Sequence, residues 1–496
     1  MGFTRDKYLF SGRPTWGLVS IVSVLLVSSV AGAPLESAKA ESLRDALRSA
    51  YKHNPRLDAE RANLRATDEG VPQAKSNYRP LVSATADSAV TQTNTSPDPI
   101  GVRTGEGRSY PAGYTINLNQ QIFRGFRTRN AVNAAEARVR SGRETLRSTE
   151  QAVLQDAVTA YMNVVRDSAI VRLRENNVRV LSRDLKATQD RFSVGEVTRT
   201  DVAQSRARRA GAVSELDLAR ANLKASRANY EQVVGRKPGR LVGASPPFRL
   251  LPKNLSVART RAERENPDVV GALYNEQAAR YDVNEIAGEL LPTLNLDASY
   301  SNRYAGGGDT STIQTETGTV VGTLTVPLYQ RGAVSSRVRQ AKHAHVRLIQ
   351  LVEEARTQSR ENAIAAWAQM IASRAQVKSA QAQVDANRIA LSGVREEEKV
   401  GQRTLLDVLD AEQELLDSQV DLVTVRRDLV VNSYIVLSTT GRLTAQDLRL
   451  ASKIYDPEAH YGKVRRKWFG ISVTHRDGRR EHIQVQEKGR KHKSYK

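Results

Sequence analysis

Proline is absent between Pro111 and Pro238, and again between Pro327 and Pro457. These two windows constrain the fold more than any motif. Proline removes a backbone donor and clashes with the preceding helical turn, so a long run without it can be continuous helix. In the first window Ala157, Val164, Val171, Val178, Leu185 and Phe192 recur seven residues apart, and in the second Ala363, Met370, Val377, Val384 and Leu391 do the same. Further apolar runs on this spacing follow: Val202, Leu216, Leu223 and Tyr230, then Val408, Leu415, Leu422, Leu429 and Val436. A seven-residue apolar repeat is a coiled-coil seam. Val194-Gly195 and Val400-Gly401 separate the runs, and glycine ends helices in the left-handed conformation. Each window therefore reads as a helical hairpin whose first helix covers about residues 127–192 or 333–399. At 1.5 Å per residue such a helix is about 100 Å long, which suits a rod or the wall of a tube.

The two windows belong to an internal repeat. Asn54-Pro55 recurs as Asn266-Pro267 and Pro80 as Pro292 at one spacing. After a single gap a second constant spacing links Gln121-Ile122-Phe123 to Pro327-Leu328-Tyr329, Tyr161 to Trp367, Asp201 to Asp407 and Gly235 to Gly441. The organisation predicted is a leader over 1–40, a first structural repeat over 41–240, a linker over 241–252, a second repeat over 253–445, and a basic, disordered tail over 446–496.

Between the helices lie alternating stretches. Tyr114, Ile116, Leu118 and Ile122 alternate with Thr115, Asn117 and Asn119; Leu294, Leu296, Ala298 and Tyr300 with Asn295, Asp297 and Ser299; Val320, Gly322, Leu324 and Val326 with Val321, Thr323 and Thr325. Residues 81–93 form a weaker fourth candidate, and the Gly/Asp/Ser/Pro-rich stretches 95–108 and 305–316 read as loops. Each alternating stretch is about ten residues, the length of a membrane-crossing strand; a half-buried sheet fits the pattern equally well.

The N-terminus has the parts of an export signal: Arg5, Lys7 and Arg13, then an apolar stretch over 17–30, then small residues. Pro34 disfavours cleavage after Ala33, so cleavage after Ala40 is expected. No other apolar stretch is long enough for a membrane helix, so if the mature protein spans a membrane it must do so with strands. Four strands cannot close a barrel and an open edge in lipid is untenable, so several chains must share one ring. The absence of cysteine excludes disulfides, thiolate metal sites and a lipoprotein anchor. The net charge of +21 raises the alternative of a basic coiled-coil structural or nucleic-acid-binding protein. The charge is uneven: residues 451–496 carry 13 Lys/Arg against 5 Asp/Glu, and the rest is a diffuse excess of arginine on the helices.

The tips "FSVGEVTRTDV" and "KVGQRTLLDVLDA", with the strand exits "QIFRGFRTRNAV" and "PLYQRGAVSSRV", resemble the TolC family of outer-membrane efflux proteins over about residues 41–445. The resemblance implies an α+β membrane protein: a homotrimer with a twelve-stranded β-barrel in the outer-membrane lipid, continued by a periplasmic α-barrel of coiled-coil hairpins. It implies an exit duct with porin activity, for tripartite drug efflux or type I secretion. The partners would be a periplasmic adaptor and an inner-membrane pump, ABC-type or proton-driven. The resemblance implies no enzyme, cofactor, metal or nucleic acid.

On the same resemblance Asp407 and Asp410 correspond to the periplasmic gate. Three residues apart, they share a helix face, and three chains would supply a carboxylate ring in which like charges raise the pKa. Arg403 corresponds to a latch arginine with Thr200 and Asp201 as partners. A family tyrosine is replaced by Glu398, which would compete for Arg403 or repel Asp201. Val194, Gly195 and Glu196, with Val400, Gly401 and Gln402, correspond to adaptor-docking tips; glycines there also serve a plain turn. His343 and His345 do not share a helix face and are not read as a metal site.

Overall fold

Local capping chemistry starts each repeat. Ser42 and Asp45 form a reciprocal capping box, and Asn54 and Asn266 each cap a helix whose first residue is a proline, where the missing N–H is no loss. The computed structural model describes residues 41–93, 107–307, 310–451, 454–474 and 480–481. The expected leader, most of the expected loop over 95–108 and the distal part of the tail lie outside these residues. The element order is α1 (Leu43–His53), α2 (Pro55–Asp68), α3 (Gly70–Ser76), β1 (Leu81–Ser88), β2 (Thr91–Thr93), β3 (Gly107–Ser109), β4 (Ala112–Arg124), α4 (Arg127–Ser193) and α5 (Arg199–Val234). The second copy follows as α6 (Leu255–Glu265), α7 (Pro267–Ala287), β5 (Thr293–Gly307), β6 (Thr310–Thr325), α8 (Ala333–Lys399) and α9 (Leu405–Thr439). Then come α10 (Glu458–Val464) and the two-residue strands β7 (Val473–Thr474) and β8 (Arg480–Glu481).

The proline-free windows are helical hairpins, and α4 and α8 each run for 67 residues. Much of each seam is buried: Ala157, Val164, Val171, Ala363, Met370 and Val384 are all under 9% exposed. Burial fades toward the first tip, where Phe192 is 45% exposed, whereas Leu391 near the second is 7% exposed.

Four strands form one antiparallel sheet in the order β1-β4-β5-β6. The register aligns Val82, Leu118, Ala298 and Val320 on one face, with Ala84, Ile116 and Tyr300 in the next row. Ser83, Asn117, Ser299 and Thr319 line the opposite face. On that polar face Asn119 donates to Asp297 at 2.5 Å, and Arg303 pairs with Asp87 at 2.9 Å. Residues 305–316, read as loop from their composition, are mostly strand: Tyr304 pairs with Gln314 and Ala305 with Ile313. Threonine and isoleucine favour the pleated conformation, and continuing the ladder satisfies the backbone.

The sheet joins the helices through close backbone crossings. A Cβ on Gly288 would sit 2.3 Å from the Gly125 carbonyl oxygen, and one on Gly125 2.2 Å from that of Gly288. Nearby, Glu289 bridges Arg127 of the first copy and Arg337 of the second.

The main core joins α1, α4, α5, α9 and residues 443–450. Tyr161 and Tyr230, both fully buried, lie 6.4 Å apart, and the Tyr161 hydroxyl lies 2.6 Å from the Val242 carbonyl oxygen. Trp367, the repeat partner of Tyr161, packs beside Ala366, Met370 and Val436.

The expectation of a disordered tail from residue 446 requires correction. Leu450 is 1% and Val464 5% exposed. The Tyr455 N–H donates to the Tyr51 hydroxyl at 3.1 Å, and the Arg61 guanidinium lies over both rings, 4.7 Å from Tyr51 and 5.2 Å from Tyr455. His460 Nδ1 is 3.0 Å from the buried Asp68 carboxylate. The mean charge of the tail hides these apolar anchors, which sit singly among basic residues and fasten it to α1 and α2.

Candidate functional site

Each hairpin tip is a helix stop followed at once by a helix start. At the first tip Glu196 N–H donates to Arg191 O at 3.0 Å and Gly195 N–H to Phe192 O at 3.0 Å. At the second, Gln402 N–H donates to Glu397 O and Gly401 N–H to Glu398 O, both at 2.9 Å. This paired pattern needs a left-handed residue, and Gly195 and Gly401 supply φ of +80° and +77°. Val194 and Val400 stand 77% and 70% exposed beside them.

The next helices begin with matching capping boxes. The Asp201 carboxylate accepts the Thr198 N–H and hydroxyl, both at 2.8 Å; the Asp407 carboxylate accepts those of Thr404 at 2.9 and 2.8 Å. These hydrogen bonds from the Thr404 backbone and hydroxyl hold the Asp407 carboxyl below its usual 3.8. Within one chain Asp407 thus departs from the raised pKa expected of a crowded ring. Asp410, one turn on, is ion-paired with Arg208 of α5.

Arg403 does not reach Thr200 or Asp201 within the chain. Its Nε donates to Glu397 at 3.0 Å, while Asp201 is held by its own cap. Glu398 neither takes Arg403 nor faces an unpaired Asp201. It receives Arg191 Nη1 at 2.9 Å, across the hairpins. Arg191 also binds Glu196 at 2.7 Å, and its hydrogen bonds to Glu398 and then Glu196 raise its pKa.

Two further contacts cross between hairpins or line their boundary. Arg174 of α4 pairs with Glu215 and lies 3.8 Å from Asp417 of α9. Glu412 of α9, 7% exposed, pairs with Arg395 of α8, and the half-buried Asp184 of α4 lies close enough to raise its pKa further. Burial, above all, pushes both carboxyls up. Sequence reasoning missed Arg191, Arg208, Asp184, Arg395 and Glu412. One signal was available: α5 carries seven Lys/Arg and four Asp/Glu, whereas α9 carries two and seven. The second helices of the two hairpins, α5 and α9, are charge-complementary.

Among the described residues no helix is long and apolar enough to cross a membrane, and no cluster of His, Asp and Glu is suited to a metal ion. The chemistry present is recognition and charge, set on long helices below a sheet with one apolar and one polar face.

Comparison with known proteins supplies the context. The family model described as outer membrane efflux protein matches residues 46–236 and 258–441. The outer membrane efflux protein BepC of Brucella suis is 40% identical over 450 residues, covering 90% of this chain and 94% of that protein. The outer membrane protein TolC of Escherichia coli is 27% identical over 434 residues, covering 83% and 84%. Among solved structures, the CmeC outer membrane channel of Campylobacter jejuni superposes with a TM-score of 0.74 at 16% identity, covering 86% of this chain and 89% of that one.

Proposed function

This chain belongs to the outer membrane efflux protein family, and on that footing we propose that three copies close their sheets into one twelve-stranded barrel, with the helical hairpins forming a shared tunnel beneath it. The protein is an outer-membrane export channel and not an enzyme. One observation supports the assembly above all others. The sheet β1-β4-β5-β6 has an apolar face and a polar face and ends in two edge strands, β1 and β6. In hydrocarbon each unpaired edge N–H and C=O costs several kcal/mol, so the edges must meet those of other copies. The apolar face then meets lipid and the polar face water.

The tips are the regulated end. Val194, Gly195 and Glu196, with Val400, Gly401 and Gln402, form the docking surface for a periplasmic adaptor, which links the duct to an inner-membrane pump. The cargo, drugs or polypeptides, is selected by that pump. Asp407 and Asp410 line the constriction, with Arg208 partly offsetting Asp410. Arg403 engages Thr200 and Asp201 of a neighbouring copy, and Arg191–Glu398 clasps the two hairpins within each copy. The rival reading as a nucleic-acid-binding coiled coil gives way to the family match, and at the hairpins Arg174, Arg191 and Arg208 are engaged by carboxylates.

The test is a planar-bilayer recording on detergent-purified protein of measured mass. A trimer in which Asp407→Ala with Asp410→Ala raises single-channel conductance and lessens block by divalent cations fits the proposal. Unchanged conductance and block remove the two aspartates from the gate. A stable, water-soluble monomer overturns the assembly.

A further inference from the structure

Above the tips, α4, α5, α9 and the linker at residues 239–244 enclose a groove of about 620 Å³, within the range of small-ligand sites. Its floor is apolar, formed by Met162, Val165, Ala169, Leu223, Leu241 and Val423. Its rim is cationic. Six arginines line the groove, and the carboxylates beside it, Glu41, Asp167 and Asp428, are already engaged. Asp167 takes Arg166 at 2.8 Å and the Ser226 hydroxyl at 2.5 Å; Asp428 takes Arg427 at 2.6 Å. Arg172, Arg227 and Arg240 have no carboxylate partner among the described residues, and Arg426 donates to the neutral Gln381 at 2.6 Å.

The rim is also held in place. Glu41 bridges to Leu241, and the Val242 N–H donates to the buried Tyr161 hydroxyl at 3.1 Å, fixing the linker that carries Arg240. Planar guanidinium forks match the oxygens of a phosphate in bidentate fashion. A bare phosphate would leave the apolar floor facing water; an alkyl chain covers it. A nucleic-acid strand needs a run of phosphate contacts along a surface, which a bounded groove with an aliphatic floor does not offer.

We propose that this groove binds an amphipathic anion of the phosphate-headed lipid class, with the head on Arg172, Arg227 and Arg240 and the alkyl chain on Leu223, Leu241 and Val423. The inference does not rest on the gate or on adaptor docking, and binding is read without channel activity. The assay is equilibrium dialysis of radiolabelled octyl phosphate against the full chain in phosphatidylcholine nanodiscs. Saturable binding of one molecule per chain is expected. Arg172→Gln with Arg227→Gln and Arg240→Gln should weaken it at least ~10-fold, the equivalent of ~1.4 kcal/mol. Inorganic phosphate and octyl glucoside should each bind at least ~10-fold more weakly than octyl phosphate. Arg199→Gln with Arg206→Gln, exposed arginines of α5 outside the groove, should leave binding unchanged. Equal binding by the triple variant overturns the proposal. So does inorganic phosphate binding as tightly as octyl phosphate, which would make the site a reader of charge alone. Preferential displacement by an acidic peptide would overturn it in favour of a polypeptide ligand.

Discussion

Breaking the Arg191–Glu398 clasp should loosen the closed tip, and the structure makes the two ways of breaking it unequal. Arg191 is 40% and Glu398 19% exposed in their side chains, and Nη1 lies 2.9 Å from Oε1. A pair this open to solvent is worth ~0.5–1 kcal/mol. Three copies acting on one tunnel give ~1.5–3 kcal/mol, a shift of roughly 10- to 150-fold in the open-to-closed ratio. Glu398→Gln leaves Arg191 with Glu196, which it already binds at 2.7 Å. Arg191→Gln instead leaves both Glu398 and Glu196 without their cation, so it should open the channel further than Glu398→Gln does. Exchanging the charges, Arg191→Glu with Glu398→Arg, restores the cross-hairpin attraction but sets the introduced carboxylate beside Glu196, so recovery should be partial. The assay is open probability and conductance in planar bilayers at low salt. At 1 M salt the Debye length falls to about 3 Å, and the differences among variants should shrink. If Arg191→Gln and Glu398→Gln both leave gating unchanged at low salt, the clasp has no role in closure. If the exchanged pair gates no closer to wild type than Arg191→Gln alone, the effect of the single change was not electrostatic.

The other expectations concern pH, the barrel junction and the tail. Burial raises the Asp184 and Glu412 carboxyls where α4 meets α9, so the packed state holds protons that the separated state releases; the contact is stronger in acid and weakens as pH rises from the ordinary glutamate value of 4.5 through the raised one. Glu412→Gln should flatten that part of the pH dependence of tip opening, with Arg395 the cation facing the cluster, and an unaltered profile would exclude it. Gly288→Ala places a Cβ 2.3 Å from the Gly125 carbonyl oxygen, backbone that cannot rotate away; a cost of ~3 kcal/mol or more is expected, read as loss of heat-resistant oligomer on gels, and normal yield would refute the crossing. Arg61→Ala removes the guanidinium between Tyr51 and Tyr455 together with its pair to Asp58. It should destabilise the tail's attachment by ~2–3 kcal/mol, seen as faster proteolysis near residue 454; an unchanged cleavage rate would show that Leu450 and Val464 suffice.

Backbone-level features were legible in the sequence because they depend on residue type and spacing alone. Proline exclusion and a seven-residue apolar period located α4 and α8 to within one residue at their ends, since both conditions must hold for a 67-residue helix. Gly195 and Gly401 marked the turns because a left-handed stop has few substitutes. Alternation found β4, β5 and β6 but stopped short at residues 305–316, where glycine and aspartate resemble a loop while the ladder continues. Averaging failed in the tail, where a few apolar anchors outweigh the surrounding charge.

The tip electrostatics were less legible for a physical reason. An ion pair depends on which rotamers meet across two helices, and no spacing rule within one chain segment encodes that. Glu398 looked like a liability to Arg403 and Asp201 while only its sequence neighbours were considered. Across the hairpins it meets Arg191, and Arg403 turns to Glu397. A substitution that reads as the loss of a latch can therefore be the exchange of one latch chemistry for another. What a hydroxyl would do through one hydrogen bond, a carboxylate here does through an ion pair that salt can screen. Such a clasp would make closure sensitive to ionic strength, and a hydroxyl-based clasp would not.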